Sequence, residues 1–175
     1  MKYLWIFGLI CVGLVAAGVL LDRSGRGLGP WGGLARLVGR GRDLGPVSFA
    51  TLVRRTTPND ALACPADVCR AAKPDLVAPI FPVPADELHR RLEAVVRGEP
   101  RTSAFPGGSE DDARARIVQR SALLRFPDVI DVEIIAVDPT RSTVALYSRS
   151  VIGVSDFGVN RARLTRWLDA LARAS

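Results

Sequence analysis

Residues 129–151 read VIDVEIIAVDPTRSTVALYSRSV. Ile130, Val132 and Ile134 alternate with Asp131 and Glu133, the period-two pattern of a strand with one buried face. Asp138, Pro139, Thr140 and Arg141 form a turn, and Thr143–Val151 is extended again. Two such runs joined by a short turn predict an antiparallel hairpin.

Outward from the hairpin, Ile117–Leu124 predicts a further extended segment, and SAFPGGSEDD (103–112) before it a loop. Further upstream, Pro84, Asp86 and Glu87 suit a first helical turn, and Leu88, Leu92, Val95 and Val96 form one apolar stripe ending before Gly98. The stretch from Ala61 to Pro82 has prolines at 65, 74, 79 and 82 and predicts an irregular covering loop. Downstream, Asn160 suits a helix N-cap, and Leu164, Trp167, Leu168 and Leu171 fall on one face. Helix, strands in meander order, then helix predict an α+β fold: a small antiparallel sheet packed by two main helices, preceded by one N-terminal transmembrane helix.

That last element rests on Tyr3–Leu21 (YLWIFGLICVGLVAAGVLL), 19 residues without a charge, bounded by Lys2 and Asp22. At about 1.5 Å per residue this run just crosses a hydrocarbon core of roughly 30 Å. A cleaved signal peptide ending at Val15–Ala16–Ala17 is the alternative, but the apolar run continues past Ala17. The chain therefore divides into an anchor (1–22), a basic Gly/Arg-rich linker (23–46) and a globular domain (47–175).

The net charge of +6 is unevenly placed. Residues 22–58 carry seven arginines against Asp22 and Asp43, whereas from Asn59 onward basic and acidic residues balance. A neutral domain without a recognition motif argues against nucleic acid as a partner. The basic linker, next to an apolar run, suits anionic lipid headgroups or serves as a solvated tether. On the positive-inside pattern the five arginines following the apolar run place the domain in the cytoplasm. The short basic head of the run, and a disulfide between Cys64 and Cys69, five positions apart, would place it on the outer face, which we expect.

The segment Ser148–Arg163 (SRSVIGVSDFGVNRAR) is the most unusual. Arg161 and Arg163 fall in the first turn of a predicted helix, where cations oppose the macrodipole and call for an anion. In one reading Asp156 supplies it, pairing with Arg161 or Arg149 and pinning the loop. In the other, Arg149, Ser150, Ser155, Asp156, Asn160, Arg161 and Arg163 line a site for a phosphate or carboxylate. Candidates for catalysis are few: Ser148, Ser150 and Ser155 lack a GxSxG setting, and His89, the sole histidine, lies off the helix stripe. Asp128 and Asp131 read as solvated turn and strand residues. No metal site or cofactor is expected.

The stretches TPNDALACP (57–65), VPADEL (83–88), QRSALLRFPD (119–128), ALYSRSVIGVSDFGVNRAR (145–163) and WLDAL (167–171) resemble the bacterial and plastid domain of unknown function 1499 family (DUF1499) over Val47–Leu171. Its relatives commonly carry a cysteine followed by serines near the start, where this chain has Cys64 and then Pro65. The resemblance implies one domain and no established reaction or ligand. The expected protein is a single-pass bacterial inner-membrane protein with its domain on the periplasmic side, the cytoplasmic side being the alternative. Its domain is expected to bind an anionic small molecule or a protein partner without catalysis. The alternatives are a hydrolase or transferase using Asp156 and a neighbouring serine, and a purely structural subunit of a membrane complex.

Overall fold

The computed structural model describes residues 44–104, 113–123 and 125–174. Leu44–Ser121 and Phe126–Ser175 form one compact unit; Ala122–Arg125 belongs with Met1–Asp43 to a second, of which the described residues Ala122, Leu123 and Arg125 are an exposed connecting turn. The first unit holds β1 (Asp60–Ala63), α1 (Ala85–Gly98), β2 (Thr102–Ala104), β3 (Arg114–Arg120), β4 (Pro127–Asp138), β5 (Arg141–Ser150) and α2 (Val159–Arg173).

The five strands make one antiparallel sheet in the order β1-β5-β4-β3-β2. The hairpin is its centre, with Val132 opposite Leu146 and Asp128 opposite Ser150. Both helices pack on one face. Ile117, Ile130, Val132, Ile134, Val144 and Leu146 point that way and meet Leu88 and Leu92 of α1 and Leu164, Trp167, Leu168 and Leu171 of α2. Fully burying a side chain of this size contributes about 1.5–3 kcal/mol, so this layer carries much of the stability. On the other face Ala145 and Tyr147 of β5 and Leu62 of β1 pack against Phe49, Leu52, Ala72 and the disulfide-bonded pair Cys64–Cys69.

The expected architecture needs correction on two points. The sheet has five strands rather than the three extended segments expected: β1 starts at Asp60, read as a turn residue, and runs into the stretch from Ala61 read as an irregular covering loop, and β2 runs from Thr102 into the stretch 103–112 read as a loop. Asp60–Ala63 has no alternation, because three of its four residues are buried, and it is a strand through pairing with Arg149–Leu146 of β5. Thr102–Ala104 is an edge strand of three residues held by Gln119–Ile117. Second, among the described residues no helix is long and apolar enough to cross a membrane. The stretch 1–22 read as a transmembrane helix, and 23–43 of the linker, lie outside the described residues.

Boundaries also move. The strand expected at 117–124 runs Arg114–Arg120, because the Ser121 N–H turns back to the Phe126 carbonyl. Asn160 is not the cap of α2. Gly158 occupies that position at φ 80°, and Asn160 lies inside the helix.

Candidate functional site

Strand alternation splits Ser148, Arg149 and Ser150 between the two faces of the sheet. Ser148 and Ser150 continue the row of Val144 and Leu146 and face α2, while Arg149 continues the row of Ala145 and Tyr147. Apolar packing therefore gives way to polar packing on both faces at the same end of β5.

On the helix side the polar residues close into one buried lattice. Arg163, only 3 % exposed, is its hub. Its guanidinium donates to the Asp128 carboxylate at 2.6 Å, to Ser148 Oγ at 2.6 Å, to Asn160 Oδ1 at 2.6 Å and to Gln119 Oε1. Asp128 Oδ1 in turn accepts from Ser150 Oγ at 2.7 Å, and Ser150 Oγ accepts from the Asn160 amide at 3.1 Å. That amide also donates to the Asn59 carbonyl, while the Asn59 side chain donates to the Gly153 carbonyl at 2.6 Å. Gln119 extends the lattice outward by donating to Glu99 at 2.9 Å. Burial works to raise the Glu99 carboxyl, but Gln119 and Arg166 outweigh it and hold it below the usual carboxylate range. Each buried polar group here would cost about 1–3 kcal/mol if left alone, so the residues are mutually obligatory.

On the opposite face Arg149 donates to Asp131 at 2.9 Å and to the Gly45 carbonyl at 2.5 Å, and lies 5.5 Å from the Tyr147 ring centroid. Arg116 reaches the other Asp131 oxygen at 3.1 Å. Burial pushes the Asp131 carboxyl up, against the opposing pull of Arg149 and Arg116. Burial and a hydrogen bond donated to Asp60 push the Tyr147 hydroxyl up, so it stays a donor. Asp128 and Asp131, read as solvated, are thus both buried and ion-paired. The pattern of alternation alone did not reveal this, because their burial depends on arginines 35 and 18 positions away.

The residues 148–163 singled out from the sequence do not all come together. Ser148, Ser150, Asn160 and Arg163 join the internal lattice, and Arg149 stands on the far face of the sheet. Asp156 pairs with neither Arg149 nor Arg161 in the hydrogen bonds of this segment. Its carboxylate oxygens accept from the Gly158 N–H at 3.0 Å and the Asn160 N–H at 2.9 Å, which satisfies the start of α2. Ser155 Oγ accepts from the Phe157 N–H. Arg161 is exposed, and its guanidinium meets no carboxylate among the described residues.

What these bonds build is a shaped loop, Val151–Gly158, that leaves the sheet where the Val151 N–H bonds the Pro127 carbonyl. Its tip carries Val154, 75 % exposed, and Phe157, 95 % exposed, with Val159 half-exposed behind them. Phe157 holds a left-handed backbone at φ 52°. Among the described residues no group of three His, Cys, Asp or Glu side chains is placed to hold a metal ion.

The family described as "Protein of unknown function (DUF1499)" matches residues 56–171. The chain belongs to the DUF1499 family. No curated protein and no solved structure matches it. The DUF1499 stretches that looked separate in the sequence meet in space: Asn59 from TPND, Gln119 and Asp128 from QRSALLRFPD, Ser148 and Ser150 from SRS, Asn160 and Arg163 from NRAR. Asn59, Gln119 and Asp128 were absent from the sequence-based site, and the signal that links them is their place in these motifs.

Proposed function

We propose that this domain is a non-catalytic recognition module whose contact face is the segment Val151–Arg161. The observation that supports this reading most is Phe157. A non-glycine residue in the left-handed region costs roughly 1–2 kcal/mol. Here the cost falls on a ring that packs against almost nothing in its own chain. Strain of this kind, held in place by surrounding bonds, concentrates at functional positions. Those bonds come from the buried lattice, through Asn59 to Gly153, and from the Asp156 carboxylate at the start of α2. In this reading the motif arginines 149 and 163 are internal supports, and the anionic part of a ligand falls to Arg161.

A hydrolase or transferase using Asp156 and a nearby serine is the weaker reading. Ser155 Oγ accepts from the Phe157 N–H, and both Asp156 oxygens hold backbone N–H groups. Amide hydrogen exchange tests the proposal, with the chain mixed in turn with anionic vesicles, acidic peptides and phosphorylated metabolites. Slowed exchange in 151–161 with at least one of these, lost on Phe157→Ala with Arg161→Ala, is the expected result. The reading is overturned if no member of the panel protects the segment while a hydrolytic activity appears that Asp156→Asn abolishes.

A further inference from the structure

We infer that the Val151–Gly158 loop docks on an anionic lipid surface, inserting Phe157 and Val154 among the headgroups. This rests on the loop being the contact face. Two features favour lipid over a protein groove. The first is the shape of the apolar contact. Phe157 at 95 % and Val154 at 75 % exposure stand nearly clear of their own chain. Isolated apolar side chains on a tip suit a soft surface that closes around them. The second is charge. Two exposed arginines lie beside the loop: Arg161 in the first turn of α2, and Arg55 donating to the Ser150 carbonyl at 2.8 Å. The carboxylate of the loop, Asp156, is directed to backbone N–H groups. Arginines near an anionic leaflet each contribute about 1 kcal/mol, and an exposed aromatic next to them adds its transfer into the interface.

The test uses the full chain carrying Cys11→Ser, so that a single thiol-reactive environment-sensitive fluorophore can be placed at Val154→Cys. A second preparation carries it at Thr140→Cys, in the β4–β5 turn at the opposite end of the sheet. Each is mixed with phosphatidylcholine vesicles with and without phosphatidylglycerol. The expected result is a blue shift, and quenching by brominated acyl chains, at position 154 but not at 140, and only with phosphatidylglycerol. Phe157→Ala should weaken the partitioning read at 154 by about tenfold, and Arg161→Ala by about fivefold. An unchanged signal at 154, or an equal change at 140, overturns the inference. If 154 stays in water while an acidic peptide protects 151–161 from exchange, lipid is excluded and the contact face stands.

Discussion

Arg163 and Asp128 show how a single residue in this domain is committed by its surroundings. Their contact at 2.6 Å is buried, so removing one partner strands a charge in a low-dielectric interior. Arg163→Met should lower unfolding free energy by about 3–5 kcal/mol in chemical denaturation. Adding Asp128→Asn should restore part of it, because the stranded charge is then gone; a double variant no more stable than Arg163→Met would refute the assignment. Phe157 behaves in the opposite way. Phe157→Gly relieves the left-handed strain and removes almost no packing, so stability should stay level or rise by as much as about 1 kcal/mol. A clear fall in melting temperature would mean that the ring is structural. Both residues lie in motifs that the sequence already marked, yet nothing in their spacing distinguishes the buried cation from the exposed ring.

At the scale of elements, α2 begins without a side-chain cap at its first residue, and the carboxylate of Asp156 reaches in from the loop instead. Asp156→Ala should cost about 1 kcal/mol, and helical exchange protection should fall first at the start of α2. The loop between Ala63 and Leu76 gains its order differently. Cys64 and Cys69 are bonded and buried against the sheet face that carries Tyr147. Replacing both by Ala should cost about 2 kcal/mol, the chain-entropy value for so short a loop, as read by thermal unfolding with and without reductant. The hairpin, α1 and α2 were legible in the sequence because each has a period that points one face inward. β1 and β2 were not, because a short edge strand, whether mostly buried like β1 or mostly exposed like β2, has no such period and exists only by pairing.

Across the whole molecule, acid should weaken the fold through carboxylates that the folded state holds low. Asp138 is the clearest, brought down to about 2 by Arg141 and by the N–H and hydroxyl of Thr140. Its contribution is therefore full above the ordinary value of 3.8 and fades as pH falls from there to about 2. Asp138→Asn should flatten that part of a stability-against-pH curve; an unchanged slope would show that the turn carries no linkage. Asp131, pushed up by burial, acts in the reverse sense, its contribution lost as pH rises through its folded value. The sequence alone determined the α+β class, the central hairpin and the two amphipathic helices, since periodicity is a local property of the chain. It also marked the motif stretches as a set. Only the tertiary structure decided that these stretches converge, that SRS divides between two faces of the sheet, and that Arg149 and Arg163 turn inward while Phe157 turns out. Those outcomes depend on strand register and on charge pairs far apart in sequence, and neither leaves a local pattern to read.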